Sequence, residues 1–283
     1  MTTEKAAETL AAWETSSQYW NKHQAMIELM YAPLSKALIE AANVSEGQAV
    51  LDVGGGSGQP SLTIAPIVTE SGSVTYTDPA PGMVSAARAE AERRGLGNIE
   101  FHQCPADRLP FADDSFDVAV GRMSAMFFPD VVAGLRETLR VVKPGGPISF
   151  LVWADKEVNP FFNAVTEILD RFVQADPEDP DAPTAFRFAE PGKLARLMKE
   201  AGAREVTEQT VEFKIEGPIN VDQFWELRTE MSDTFRKKLG RLVPDQVAAI
   251  KYTVQKKVGP YFKSGSMSFP GTVLIVTGKK PIA

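Results

Sequence analysis

Apolar positions recur at helical spacing through the first forty-odd residues, where Trp20, Ile27, Tyr31 and Leu34 share a face, until Glu46, Gly47 and Gln48 break the run. The period then changes. The pattern predicts a buried strand over Ala49–Val53, a helix over Ser61–Glu70, a strand over Ser73–Asp78 and a helix over Gly82–Arg94 closed by Gly95. Strands follow in IEFHQC and FDVAVGR, then the amphipathic helix VVAGLRETLRVV stopped by KPGG, then a fifth strand, PISFLVW. Strands alternating with helices at this spacing join by right-handed crossovers, which build a parallel sheet with helices on both faces. The expected fold class is α/β, a doubly wound Rossmann-like sheet that takes ligands at the carboxyl ends of its strands.

After Trp153 the rhythm loosens. NPFFNAVTEILDRFV reads as a further helix, the acidic, proline-rich DPEDPDAP as a surface loop, and PGKLARLMKEAG as a helix with proline at its start and glycine at its end. EVTEQTVEFKI and GTVLIVTGKK read as strands, and between them lies an insertion at about 217–262, mostly helical from Asn220 to Gly259. The expected organisation is one domain over 1–283: N-terminal helices to residue 46, a ligand-binding core over 47–154, and a C-terminal part over 155–283 that completes the sheet and carries the helical insertion as a cap.

Composition narrows the partners. The 283 residues are 43% hydrophobic and 24% charged, globular values, and a formal charge of −7 argues against nucleic acid or an anionic membrane as partner. One cysteine, Cys104, allows no disulfide within the chain, and two histidines, His23 and His102, make a metal site an unexpected find. No apolar run approaches the roughly 18 residues of a membrane span, and the first twenty residues lack the basic start and apolar centre of a secretory signal. A cytoplasmic protein with no integral membrane association is expected, and the pattern carries no signal for oligomeric state.

The candidate chemistry sits in AVLDVGGGSGQP, Ala49 to Pro60. Gly54, Gly55, Gly56 and Gly58 follow a strand end, so backbone comes close to a ligand. The dinucleotide fingerprint would place its third glycine at Gln59, and Asp52 would set negative charge beside a pyrophosphate. A cationic, phosphate-free ligand gains from that carboxylate; S-adenosylmethionine, with its sulfonium and ammonium groups, is such a ligand. Asp78 ends the next strand, 24 positions after Gly54, where a carboxylate can accept ribose hydroxyls. The competing reading of each acid is a turn or helix cap.

VLDVGGGSGQPSLTIA, VTYTDPAPGMVSAAR, LPFADDSFDVAVGRMSAMFFPD and LRVVKPGGPISFLVW together resemble, in order, the motifs of class I S-adenosylmethionine-dependent methyltransferases, nearest to the branch of the ubiquinone/menaquinone biosynthesis C-methyltransferases. FRFAEPGKLARLMKEAGA and the NPFF after the fifth strand extend the likeness, which covers about Val50 to Ala203. It implies a seven-stranded sheet with an antiparallel last strand, supplied here by GTVLIVTGKK. It also implies S-adenosyl-L-methionine as cofactor. Asp52, Gly54 and Gly56 would meet its methionine end, with Gly55 and Gly58 in the same loop; Asp78, followed by Pro79, would take the ribose. Met83 would pack on the adenine, Ala106 and Asp107 would face its edge, and Gly121, Arg122 and Met123 would line the methionine end and the site mouth. The pattern departs at Pro105, which stands where the family carries the acid that holds the adenine amino group; the Ala106 amide, Asp107 or a water is left to serve the ring.

Methyl transfer from a sulfonium is an in-line displacement that depends mainly on alignment, worth roughly 7–11 kcal/mol, and it needs a base only when the acceptor must lose a proton. No catalytic base is identified. His102 reads as structural, while His23 and Trp20 lie on the N-terminal helix that covers the cofactor in relatives. Met126, Phe127, Trp153, Asn159, Phe162 and Phe188 are the remaining candidates for an apolar, aromatic acceptor pocket, although many such residues are ordinary core and Asn159 also suits a helix cap. The expected activity is methylation of a small hydrophobic or aromatic molecule. The alternatives are a nicotinamide-dependent oxidoreductase, disfavoured by Asp52 and the glycine spacing, and a non-catalytic S-adenosylmethionine-binding protein.

Overall fold

Near-continuous apolar runs belong to strands buried on both faces, and the five that the sequence predicts first form the parallel heart of the sheet. The computed structural model describes residues 3–173 and 181–282. Its parallel strands are β1 (Ala49–Val53), β2 (Ser73–Asp78), β3 (Ile99–Gln103), β4 (Val118–Arg122) and β5 (Pro147–Trp153). Two long antiparallel strands complete it, β6 (Arg204–Gly217) and β8 (Ser266–Lys279), with a two-residue strand β7 (Phe262–Lys263) hairpinned onto β8. The order is β3-β2-β1-β4-β5-β8-β6, with β8 antiparallel to both β5 and β6. The seven expected strands span the sheet, the closing one antiparallel as expected, and β7 is an addition.

Chain order reverses at β1. The polypeptide runs outward through β2 and β3, then returns to the other side of β1 as β4. Sheets of this kind take ligands at such a switch point, off the carboxyl ends of β1 and β4, and Asp52, Asp78, Arg122 and Trp153 all stand at or beside strand ends on that edge.

The helices are α1 (Thr3–Lys22), α2 (Gln24–Ala41), α3 (Ser61–Val68), α4 (Pro81–Arg94), α5 (Val131–Val141), α6 (Pro160–Leu169), α7 (Lys193–Glu200), α8 (Val221–Met231), α9 (Asp233–Leu239) and α10 (Pro244–Val258). Local chemistry sets most of their ends. Pro81 opens α4 and Gly95 closes it in the left-handed region at φ 69°. Asp130 caps α5 by accepting from the Ala133 amide at 2.9 Å, and Asn220 and Gln223 make a reciprocal capping box on α8. The helix expected over Ser61–Glu70 ends at Val68, where Thr69 turns to φ 59°. The single N-terminal helical stretch is two helices divided at His23. Of the loop read in DPEDPDAP, residues 176–180 lie outside the described residues.

α2 packs across β4, β5, β8 and β6, and α8, α9 and α10 form the expected cap between β6 and β7. No helix among the described residues is long and apolar enough to cross a membrane.

Candidate functional site

The glycine loop folds around two buried carboxylates. Gly54 and Gly55 both donate to the Thr77 carbonyl, at 2.9 and 3.0 Å, which ties the loop to the end of β2. Gly56 donates to Asp78 Oδ2 at 3.0 Å, and the Tyr76 hydroxyl donates to the Gly56 carbonyl at 2.5 Å. A Cβ on Gly55 would lie 2.5 Å from the Tyr76 ring and 2.7 Å from Asp52 Oδ2, so packing demands glycine there. Gly56 differs: it has φ 54°, and a Cβ on it would meet nothing within 4 Å. Gly56 is therefore the loop position whose missing side chain faces open space, a cradle for a ligand.

Asp52 accepts from the Ser61 hydroxyl at 2.6 Å and the Ser61 amide at 3.2 Å, both through Oδ2, and so caps α3 from inside the sheet. Its Oδ1 is buried without a partner. Burial pushes its carboxyl up to about 6, against the pull of Ser61 and the Arg122 charge. Asp78 is likewise pushed up to about 6 by burial, against the Ala80 and Gly56 amides that donate to it. Both carboxylates are thus short of compensating positive charge.

The next elements follow from those acids. Met83 is buried on the first turn of α4, behind Pro79 and the Ala80 amide that Asp78 accepts. Ala106 is partly buried, whereas Asp107 and Pro105 are exposed. On the other side of β1, Gly121 leaves no room for a Cβ, which would lie 2.4 Å from the Phe150 ring and 2.7 Å from Ser124 Oγ. Met123 turns at φ 57° beyond the end of β4.

α1 lies over this edge as a lid. Glu14 accepts from the Gly82 amide at 2.9 Å, the first turn of α4, and Ser17 packs against Gly82 so closely that a Cβ there would come within 2.4 Å of its hydroxyl. Trp13 joins the lid to the core, its ring 4.8 Å from Phe127 and 5.7 Å from Trp20. At its far end Lys22 and His23 bind Glu230 of α8, at 2.9 and 2.6 Å. His23 thus joins lid to cap, and its Nε2 is occupied there.

Beyond the cofactor side lies a run of rings. Tyr31 and Trp153 have centroids 5.7 Å apart, Trp153 and Phe162 4.6 Å. Arg122 donates to Ser35 Oγ at 3.1 Å and lies 5.9 Å over the Tyr31 ring, its guanidinium pushed down to about 10 by burial against the upward pull of Asp52. Met126 and Phe188 are buried, as Tyr31 and Trp153 are. Asn159, fully buried, donates to the Ala154, Asp155 and Thr272 carbonyls and accepts from the Thr272 amide at 2.9 Å, so it latches the end of β5 to β8 and has no group left for a ligand. Nor does its side chain cap α6.

Sequence reasoning missed Trp13, Glu14 and above all Arg228. The signal for Arg228 was present: it sits among Phe224, Leu227 and Met231 at helical spacing, a charge on an apolar stripe.

Among the described residues, five buried side-chain atoms lack a hydrogen-bond partner: Trp20 Nε1, Asp52 Oδ1, Gln59 Nε2, Ser124 Oγ and Arg228 Nε. They come from the lid, the glycine loop, the strand ends beside it and the cap. Buried orphan groups are rare, and their gathering in the elements that meet at one crevice is what a polar ligand would satisfy. A carboxylate oxygen at Asp52, open backbone at Gly56 and a second carboxylate at Asp78 suit a cation bearing a ribose. The site fits S-adenosylmethionine.

Residues 50–146 match the family model described as a methyltransferase domain. Over 146 residues the chain is 36% identical to an uncharacterized protein of Mycobacterium tuberculosis, covering 52% of each, so it spans about half the length of the first curated relatives it matches. It is 30% identical over 182 residues to the ubiquinone/menaquinone biosynthesis C-methyltransferase UbiE of Proteus mirabilis, covering 60% of this chain and 71% of that one. Among solved structures, the YcgJ protein of Bacillus subtilis superposes with a TM-score of 0.56 at 21% identity, over 88% of this chain and 98% of that one, a likeness of fold.

Proposed function

We infer the function from the premise that this chain belongs to the class I S-adenosylmethionine-dependent methyltransferases: it methylates a small hydrophobic or aromatic acceptor. The observation that carries the reading is the unpartnered Asp52 Oδ1 beside open backbone at Gly56, opposite an aromatic run. When bound, the cofactor supplies a methyl group on a positively charged sulfur. Asp52, with Gly54 and Gly56, would hold its methionine end, Asp78 its ribose, and Met83 its adenine, with Pro79, Ala106 and Asp107 at the rim.

The protein's own residues do the rest by placement. α1 closes over the crevice through Glu14 and Ser17 and keeps water out, and Trp13, Trp20 and Phe127 make its underside apolar. Tyr31, Trp153 and Phe162 offer flat surfaces against which a ring can be oriented, with partly buried Arg122 at the junction of the two halves. The Proteus mirabilis relative, named for quinone biosynthesis, supports a ring as the acceptor class. The test is ligand binding followed by methyl incorporation. Saturating adenosylhomocysteine is expected to raise Tm, with label passing from methyl-labelled cofactor to aromatic acceptors; an unchanged Tm at saturation overturns the reading.

A further inference from the structure

Among the described residues, the buried charged side chains are Asp52, Asp78 and Arg228. Amides and a hydroxyl compensate the two carboxylates, but nothing comparable serves Arg228. Its Nε has no partner, and its guanidinium carbon lies 4.9, 4.7 and 5.3 Å from the ring centroids of Phe161, Phe162 and Phe235. Ring faces attract a cation but offer no oxygen to replace the water it has lost. A hydrophobic side chain would fill the same space without the desolvation penalty. A buried, uncompensated cation beside a candidate acceptor site is what an anionic ligand would complete.

The neighbourhood says what kind of anion. Phe162 is the ring that Arg228 shares with the candidate acceptor site, and from it the aromatic run continues through Trp153 to Tyr31, over which Arg122 lies. Both guanidinium charges act on the Tyr31 hydroxyl. An arginine thus lies over each terminal ring of the run, Arg122 over Tyr31 and Arg228 over Phe162. Arg122 has Asp52 as a counter-charge; among the described residues no carboxylate plays that part for Arg228.

Building on the methyl-acceptor reading, we propose that Arg228 binds an oxyanion of the acceptor, so that the acceptor is an aromatic or conjugated acid held by charge at one end and by ring contacts along its length. The acid is a carboxylate or an ionised enol, two sources of one chemistry. With this assignment the reaction needs no base. An acceptor that arrives ionised already has the electron pair it needs and no proton to lose, so the occupied Nε2 of His23 is no handicap.

The test measures binding of 2-naphthoate, 2-hydroxy-1,4-naphthoquinone (an ionised enol at neutral pH) and neutral 2-naphthamide to the full chain at pH 7.5, with and without adenosylhomocysteine. Expected is at least a tenfold preference for one or both anions over the amide, the stronger anion identifying the source. Arg228→Met is expected to abolish that preference while leaving Tm unchanged or higher, and Arg228→Lys, which keeps the charge, to retain part of it. Equal affinity for anions and amide in the wild type overturns the proposal. So does a preference that survives Arg228→Met, or a variant in which Tm and affinity for all three probes fall together, the mark of a structural cation. If Arg228→Met does not fold, loss of the preference in a folded Arg228→Lys overturns it and retention supports it. Adenosylhomocysteine binding without anion preference leaves the methyltransferase reading standing alone; anion preference without adenosylhomocysteine binding does the reverse.

Discussion

Asp52 gives one carboxylate oxygen to both the hydroxyl and the amide of Ser61, at 2.6 and 3.2 Å, and leaves the other without a partner. The same side chain thus caps α3 through one oxygen and keeps the other buried and unpartnered, the atom to which the proposed function assigns the cofactor's positive charge.

Asp52→Asn is expected to separate these roles. The amide oxygen can still accept from Ser61, so the cap survives, while the charge facing the ligand is gone. The thermal shift produced by saturating adenosylhomocysteine should fall to a small fraction of the wild-type value. Stability without ligand at neutral pH should hold or rise, by at most about 3 kcal/mol for a two-unit shift. The loss of the Asp52 charge beside Arg122 offsets part of any gain. Urea titration with and without ligand measures both.

The same shifts fix a pH dependence. An acid whose pKa is higher folded than unfolded binds its proton more tightly in the folded state, so its ionisation disfavours the fold. Asp52 and Asp78 both move from 3.8 to about 6. Their contribution to the ligand-free protein is therefore most favourable below about pH 4 and is lost as pH rises through about 6. Affinity for adenosylhomocysteine should run the other way, strengthening between pH 5 and 7 and levelling above, because its ammonium group favours ionised Asp52 and its ribose hydroxyls donate best to ionised Asp78. Calorimetric titrations of adenosylhomocysteine across that range check the direction; affinity independent of pH from 5 to 7 would remove both acids from the site.

Neighbouring glycines should respond differently to alanine. In Gly55→Ala the new methyl runs into the Tyr76 ring and Asp52, at 2.5 and 2.7 Å, and Tm should drop steeply. In Gly56→Ala it enters open space, at a cost of about 1–2 kcal/mol for the left-handed backbone. There the larger effect should be on adenosylhomocysteine affinity, down tenfold or more, because the methyl occupies the ligand's approach. A Gly56→Ala protein that binds the ligand normally would show that the loop's open side is not where the ligand lies.

The lid is testable without touching the crevice. Glu14→Ala removes the acceptor for the Gly82 amide and the acidic group at the start of α4. Because Glu14 is exposed and lies at the periphery, Tm should barely change. Amide exchange in α1 should quicken, and adenosylhomocysteine should dissociate several-fold faster.

How far the sequence reached depends on what kind of signal each feature leaves. β1, β2, β4 and β5 are short and buried along nearly their whole length, so their apolar runs were readable; β3, at the sheet edge, is buried only at Ile99. The strand expected in GTVLIVTGKK starts at Gly271, whereas β8 begins at Ser266 and runs through Pro270. Pro270 faces Lys214 of β6, whereas pairing with β5 begins at Val273, so on its other side the strand has no partner to miss the absent amide. At the site, acids and glycines announced the cofactor half through spacing along the chain. The proposed acceptor half draws on α2, β5, α6 and α8, distant in sequence, and no local motif joins Tyr31, Trp153, Phe162 and Arg228. Asn159 was singled out by its Asn-Pro pair, but its partner Thr272 lies 113 positions away and only the fold shows the bond.

That latch yields the last prediction. Asn159 sits at the carboxyl edge of the sheet, close enough to the acceptor rings to be mistaken for a ligand-binding amide. All of its hydrogen bonds run to main chain, and they fasten the end of β5 to the stretch of β8 just beyond their pairing. Asn159→Ala leaves the part-buried Thr272 amide and three carbonyls with fewer partners, a loss of about 2–4 kcal/mol. The cost should fall on stability alone: a lower urea midpoint with an unchanged slope, and adenosylhomocysteine affinity within twofold of wild type wherever the protein is folded. Asn159→Asp should fare no better, since a carboxylate cannot donate to the Ala154, Asp155 and Thr272 carbonyls and would be buried facing them. A stable Asn159→Ala protein with weakened acceptor binding would instead return this residue to the pocket.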